Sequence, residues 1–377
     1  MKNKSLKLTW ALFFVLGIPL LAAAQEEGYK FTIDKELERT SVKRQVGGTC
    51  WCYSTISMLE SEVIRTQGKQ IDLSEMFIVC KLIPEKASNY VRLSGNTRVG
   101  DGGLGHHVIE PWRNYGLVPD EAFEHVSVSK LYRELREILD ERVKSRAGYT
   151  PEFNAEVEAL IEKHVGKIPE KFTYEGKEYT PKSFAEEVVK LNPDDYIELT
   201  SYTHQPFYQQ IRLEIPDNWD FEDDFYNIPL DEMEQIVDYA IENGYTVMWD
   251  GDTGRRGKVR LSGLYLAPVE GPEGEKIPVK ERQINQQVRQ ESFDTFDTTD
   301  VHLMHIVGIA HDQNGNKFYL IKNSHGTGGP YGGYVYMSRS FFRLDTISLG
   351  VNRNAIPQEL QRKMGISTGR RGGRIRE

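Results

Sequence analysis

The run Gln45-Val-Gly-Gly-Thr-Cys50-Trp51-Cys52 decides how the rest of the chain is read. After it, Ile56, Leu59 and Val63 recur at three- and four-residue spacing, with no Gly or Pro before Gly68. That spacing predicts a helix over 51–66. Cys50 then sits where the helix opens. A helix start presents unpaired backbone N–H groups and the positive end of the helix dipole, and both favour a thiolate over a thiol. Gly47 and Gly48 let the backbone come close to the same place. Gln45 can aim its side-chain amide at an oxyanion beside the sulphur. Taken alone, the pattern also fits a small apolar residue packed at a helix start.

The cysteine count sharpens the question. The chain holds Cys50, Cys52 and Cys80, and three thiols cannot all pair internally. Cys52 lies two positions after Cys50 on the helix and points away from it, into the core or towards Cys80. Residues 1–24 have the layout of a secretory signal peptide: Lys2, Lys4 and Lys7, an apolar run from Leu8 to Leu21, then Ala22-Ala23-Ala24. The alternative, a membrane anchor, needs about 20 apolar residues. The run is shorter and contains Gly17 and Pro19. The expectation is an exported protein, periplasmic or secreted, without stable membrane insertion. Removing the leader takes the net charge from -9 to about -12, which favours solubility and argues against nucleic acid as a partner.

Along the chain, residues 25–50 read as an extended lead-in. Glycines gather at Gly100, Gly102, Gly103 and Gly105 and mark a loop. Helical stripes follow at 129–146, 152–164 and 182–190, the first carried by Leu131, Leu135, Ile138, Leu139 and Val143. Residues 195–228 read as irregular or extended, and 230–243 as a helix. Short β-type runs appear at 245–249, 303–310, 317–322 and 333–337, with turn residues between them. A helical first half and a strand-rich last third make an α+β class. The expected organisation is a leader at 1–24, a helical lobe at 25–125 and a largely helical insertion at 126–225. An antiparallel β lobe follows at 226–357, and a basic tail at 358–377.

A cysteine nucleophile needs a base, and the base needs an orienting group. His302 opens the strand Met304–Ala310, where a side chain can face a cleft, whereas His305 lies further in and reads as packed. Asn323 ends the next strand. If the two strands pair as a hairpin, Asn323 can hold the His302 ring, giving a Cys–His–Asn arrangement. His106 and His107 fall in the Gly-rich loop. Adjacent histidines point apart on most backbones, so no metal site and no cofactor are expected.

These residues carry a family resemblance. The run Gln45 to Trp51 resembles the oxyanion-and-nucleophile motif of papain-like peptidases. His302-Leu-Met-His-Ile-Val-Gly308 looks like their histidine strand. Leu320-Ile-Lys-Asn323-Ser324-His325-Gly326, with Gly333-Tyr-Val-Tyr-Met337 beyond it, looks like their asparagine motif. Asp194-Asp-Tyr-Ile-Glu-Leu-Thr-Ser-Tyr-Thr-His204-Gln-Pro-Phe207, Leu213-Glu-Ile-Pro-Asp-Asn-Trp219 and Val351-Asn-Arg-Asn-Ala-Ile-Pro357 resemble the bleomycin hydrolase and aminopeptidase C branch.

The resemblance implies a two-lobed papain-like fold and a cysteine peptidase of aminopeptidase type. Cys50 would be the nucleophile, His302 the base, Asn323 its orienter and Gln45 the oxyanion donor. Gly102 and Gly103 would bind the backbone of a peptide substrate, and the branch implies a hexameric homo-oligomer. Three departures stand out. Gln45 is five residues before Cys50, whereas the family places it six before. His325 replaces a tryptophan that shields the Asn–His bond. A basic extension with Arg370, Arg371, Arg374 and Arg376 follows the point where the branch ends its chain. They motivate two alternatives: a catalytically weak relative serving as a binding or assembly module, and, more remotely, an acyltransferase on the same triad.

Overall fold

The structure, a computed structural model, describes residues 28–366 apart from residue 125, residues 255–258, residue 262 and residues 270–277. The expected leader and the arginine-rich end lie outside the described residues.

The chain begins with strand β1 (Phe31–Glu36) and runs to α1 (Cys50–Gln67), which is buried from Cys50 to Ile64. Few polar groups on α1 face water, so Ser54, Ser57, Glu60 and Glu62 find partners inside. It stops at Gly68, whose φ of +66° and N–H to the Ile64 carbonyl close the last turn. Helix α2 (Glu75–Arg92) starts where the Ser74 hydroxyl accepts the Phe77 N–H. Helix α3 (His106–Tyr115) ends at Gly116, where a Cβ would stand 2.3 Å from the Pro181 backbone.

Helices α4 (Ser129–Lys144) and α5 (Pro151–Val165) come next. A small hairpin of β2 (Phe172–Tyr174) and β3 (Lys177–Tyr179) precedes α6 (Pro181–Phe184). Leu131, Leu135 and Leu139 of α4, Phe153 and Val157 of α5 and Phe184 of α6 share one apolar core with Trp51, Phe77 and Trp112. The helical insertion therefore packs as part of the helical lobe.

The second lobe is an 11-stranded sheet. It contains β4 (Tyr196–Thr200), β5 (Gln209–Ile211), β6 (Phe225–Asn227), β7 (Val247–Gly251), β8 (Val259–Leu261) and β9 (Leu264–Leu266). It also contains β10 (His302–Asp312), β11 (Lys317–Lys322), β12 (Tyr334–Ser338) and β13 (Thr346–Asn352). The order is β5-β6-β4-β13-β7-β10-β11-β12-β9-β8, and β1 lies on β10 beyond the reach of β7. Against the expected antiparallel lobe, β4 with β6 and β9 with β12 are parallel, so the sheet is mixed. The β10–β11 hairpin is as expected, with His305 opposite Lys322 and Ile306 opposite Ile321.

Helix α7 (Leu230–Glu242) covers one face of the sheet, sealing Met233, Ile236 and Val237 against Trp249, Met304 and Ile306. Helices α8 (Gln286–Asp294), α9 (Arg339–Asp345) and α10 (Gln358–Lys363) complete the described chain.

Two contacts fix α1 against β10. Ser54 Oγ donates to the Met304 carbonyl at 2.6 Å, and Ser57 Oγ lies 2.9 Å from His305 Nδ1. Ser54 is one turn along from Cys50, and Met304 is two residues along from His302. The same register thus brings the helix start to the strand start.

Candidate active site

Cys50 is 8 % exposed, and its sulphur has a hydrogen bond with the Leu303 backbone. Burial pushes the thiol up to about 12, with the charges of Asp300, Asp250 and Asp217 adding to the rise. Desolvation thus outweighs the helix start on which the sequence argument relied. A thiolate here needs a cationic partner close by.

His302 and Asn323 are both buried and meet as the hairpin requires: His302 Nε2 is 2.9 Å from Asn323 Oδ1. That bond leaves Nδ1 as the ring atom on the other side. The Ser324 N–H also donates to Asn323 Oδ1 at 2.7 Å, which holds the amide in one orientation. His325 stacks on the His302 ring, with centroids 4.8 Å apart and planes 18° from parallel. It therefore covers the pair face-on, as a flat ring should. His305, at 1 % exposure, is the packed strand residue the sequence suggested.

Gln45 is anchored from both ends. Its backbone N–H donates to the Ser324 carbonyl at 2.7 Å, and the Gly326 N–H donates to the Lys43 carbonyl at 3.0 Å. Its Oε1 accepts the Ser324 hydroxyl at 2.6 Å. Its Nε2 donates to the Gly47 carbonyl at 2.8 Å. The short spacing is therefore absorbed after Gln45, where Gly47 takes a φ of +59°. The amide group lies within its own loop, tied to the segment that carries Asn323.

The Gly-rich loop meets the nucleophile loop through Asp101, the residue that leads the Gly102-Gly103 pair. Asp101 Oδ2 accepts the Gly48 N–H at 2.5 Å, and its carbonyl accepts Trp51 Nε1–H at 2.7 Å. A Cβ at Gly48 would stand 2.8 Å from Asp101 Oδ1, so a side chain there would push the carboxylate out of this bond. The Gly102 carbonyl accepts from Lys86 Nζ at 2.5 Å. Lys86 is buried among the rings of Trp51, Tyr132 and Trp219. Gly103 is itself buried, with a Cβ position 3.0 Å from the Trp51 ring. The loop thus stands beside the nucleophile loop, with the carbonyls of Gly100, Asp101 and Gly102 already engaged.

His106 and His107 open α3 and do not point apart. Their Nε2 atoms are 3.1 Å from each other and 3.3 and 3.2 Å from Asp220 Oδ1, a spacing that three ligands of one metal ion could adopt. The hydrogen bonds argue against an ion. The Leu104 N–H donates to His107 Nδ1 at 2.8 Å, so a neutral His107 carries its proton on Nε2 and cannot ligate there. His106 Nδ1 meets Glu198 Oε2 at 2.6 Å. Burial would lower the charge on His106, but Glu198 and Asp220 raise it well above the ordinary range. Burial and the neighbouring His106 push His107 down to about 3. The cluster is a buried carboxylate–imidazolium–carboxylate relay beneath Trp219, which stacks on His107 at 4.7 Å.

All three cysteines are free, and Cys52 donates its thiol to the Glu75 carbonyl at 3.3 Å.

A cysteine at a helix start, set beside a strand whose first histidine is held by an asparagine, between a helical and a β lobe, defines a papain-like architecture. The sequence profile of the Peptidase C1-like family matches residues 20–368. The chain belongs to that family and is a cysteine-type peptidase of its aminopeptidase C branch. It is 20 % identical to aminopeptidase G of Lactobacillus delbrueckii subsp. lactis, over 86 % of this chain and 84 % of that one. Identity to aminopeptidase W of the same organism is 21 %, over 90 % and 86 %. Among solved structures, PepW from Lactobacillus rhamnosis HN001 superposes with a TM-score of 0.71 at 18 % identity, covering 89 % of this chain and 84 % of that one. That likeness establishes the fold.

Proposed function

We propose that the protein is an exported peptidase that hydrolyses peptide bonds in the aminopeptidase manner, with Cys50, His302 and Asn323 as its triad. The observation that carries this is the 2.9 Å His302–Asn323 bond at the paired ends of β10 and β11, in register with the helix start at Cys50. The support for export is the leader-like run of residues 1–24.

The buried thiol ionises by giving its proton to His302 Nδ1, and the imidazolium supplies the charge that burial demands. The thiolate forms a C–S bond to the scissile carbonyl carbon. Gln45 Nε2 and the Cys50 N–H receive the oxyanion. As the C–N bond breaks, His302 gives its proton to the leaving amine. Water then attacks the thioester, His302 takes its proton, and the carboxylate product leaves with Cys50 restored. Asn323 keeps the ring facing the sulphur throughout.

The Gln45 amide bond to Gly47 favours a second reading, a weakly catalytic binding module, because a committed donor serves the oxyanion poorly. Fluorogenic aminoacyl and N-blocked dipeptidyl substrates under reducing conditions separate the two. Turnover lost in Cys50→Ala, with Cys50 labelled by an epoxide-type thiol inhibitor, is the expected result. The absence of both turnover and labelling would overturn the peptidase reading.

A further inference from the structure

Lys86 of α2 has no part in the steps above, yet its ammonium is carried into the interior, and the residue is 1 % exposed. Three aromatic rings surround it. The centroids of Trp51 of α1 and Trp219 of the segment between β5 and β6 each lie 5.6 Å from Nζ, and that of Tyr132 of α4 lies at 5.8 Å. Among the described residues no carboxylate bonds it directly; the charges of Asp217, Asp101 and Asp220 reach it from further off. An apolar side chain would fill this place without the cost of burying a charge. What the lysine adds is two hydrogen bonds, from Nζ to the Gly100 carbonyl at 2.9 Å and to the Gly102 carbonyl.

Both acceptors belong to the glycine-rich loop, and the residue between them is held as well. The Asp101 carbonyl accepts from Trp51, so α1 and α2 together engage three successive carbonyls. Asp217 closes the other side. Its Oδ2 lies 2.5 Å from where a Cβ at Gly102 would be, and Arg98, which leads into the loop, holds its Oδ1 at 2.7 Å. Gly103 comes next, and among the described hydrogen bonds none uses its N–H or its carbonyl. A backbone pair in that condition, beside the nucleophile loop, suits an extended peptide that bonds to it as a strand does.

We propose that Lys86 is a positioning residue of the enzyme: by holding the Gly100 and Gly102 carbonyls it fixes the loop so that the Gly103 backbone meets the backbone of a peptide substrate. This rests on the peptidase reading. Lys86 touches no substrate and acts through the loop, so its effect falls on binding rather than on the bond-breaking steps. The tether depends on its own charge. Burial lowers the ammonium to about 8; Asp217, Asp101 and Asp220 oppose that fall and Arg98 adds to it. His107 of α3, Cys52 of α1 and Tyr132 of α4 also face it. Burial keeps His107 neutral, and keeps Cys52 and Tyr132 protonated, through the same range. Below about pH 8 a charged donor holds both carbonyls, and above it a neutral amine holds them less firmly.

Steady-state kinetics with whichever fluorogenic substrate is turned over reads the effect. Lys86→Met should raise KM about tenfold, the lower end for a charged hydrogen bond, and leave kcat within about twofold. In the unsubstituted enzyme KM should rise as pH passes about 8, towards the value of the methionine variant. Lys86→Arg keeps its charge throughout, so that rise should vanish whatever its KM at neutral pH. A lysine that only packed the lobe would lower Tm on replacement but would put no such rise into KM. The arginine variant and the unsubstituted profile decide the matter if the methionine variant does not fold. An unchanged KM in Lys86→Met, an unsubstituted KM that stays flat through about pH 8, or a rise that persists in Lys86→Arg each overturns the proposal. If no substrate is turned over, the peptidase reading falls, and calorimetry decides this proposal alone. Its probe is N-acetyl-Ala-Leu-Ala-Ala amide, on the Cys50→Ala protein with and without Lys86→Met. Weaker binding to the double variant supports the proposal; equal affinity, or no binding to either protein, overturns it.

Discussion

Gln45 Nε2 is the donor on which the oxyanion argument turns, and it already bonds Gly47. If it also serves the oxyanion, Gln45→Ala should lower kcat about 100- to 1000-fold with little change in KM. Steady-state kinetics checks this, and an unchanged kcat would mean the amide serves only its loop. His325 offers a second test at the same scale. Its ring covers His302 face-on, so His325→Ala should lower kcat about tenfold by letting water reach the His302–Asn323 bond, and His325→Trp should restore it. Cys50, His302 and Asn323 were legible in the sequence because each stands at the end of an element whose periodicity or turn residues mark it. The carboxylates beside them were not. Asp217 lies in an irregular segment, and Asp250 follows a run read only as apolar strand. Asp300 stands outside the strand that His302 opens. Only the β7–β10 register brings the last two together.

At the scale of elements, two arginines of α9 tie it to α7, Arg339 through Glu234 Oε1 at 2.6 Å and Arg343 more extensively. Arg343 is buried and donates to Glu234 Oε2 and Asp231 Oδ1, each at 2.6 Å, and to the Ile284 carbonyl at 2.9 Å. Burial would raise the Glu234 carboxyl, but Arg339, Lys317 and Arg343 outweigh it and hold it down at about 2. Arg343→Met leaves Glu234 with Arg339 and Lys317 but removes its charged hydrogen bond and should cost about 1.5–3 kcal/mol, read as a lower urea midpoint. Glu234 contributes stability above the ordinary carboxylate range, and that contribution is lost as pH falls towards about 2.

Helix α1 was read correctly despite its burial on all sides, because Ile56, Leu59 and Val63 keep their period. Helix α2 went unread: Pro84 stands in its middle, and a proline there removes one backbone donor and reads as a break. Its core contacts, Phe77 and Ile83 among them, repay that loss only once the lobe has packed. Strand β13 went unread because its seven residues are all buried and show no alternation, a pattern a lone sequence does not separate from a buried helix turn.

For the whole molecule, the acidic cluster sets a pH dependence. Native Asp300 keeps its proton up to about pH 8, whereas an unfolded aspartate gives it up near its ordinary value of 3.8. Between those limits the native state binds more protons, so this group's stabilising contribution is full below the ordinary aspartate range and is lost as pH rises through about 8. Asp217 and Asp250 face it from neighbouring segments and act in the same direction. Melting between about pH 5 and about pH 9 should show a smaller fall in Tm for Asp300→Asn than for the unsubstituted protein. Strand β1 carries a separate consequence. It covers the part of β10 from Gly308 to Asp312, and its Phe31 stacks on Tyr336 at 3.8 Å. Removing residues 28–36 bares that edge, and light scattering should then show concentration-dependent self-association.

The three free thiols give the protein its own clock. Cys52 and Cys80 are fully enclosed, and only Cys50 has any exposed surface. A disulfide reagent such as an aromatic dithio acid therefore counts one thiol in the native state and three in the unfolded chain. The slow appearance of the second and third equivalents measures how often the helical lobe opens, and it does so without a fluorescent label or an activity assay.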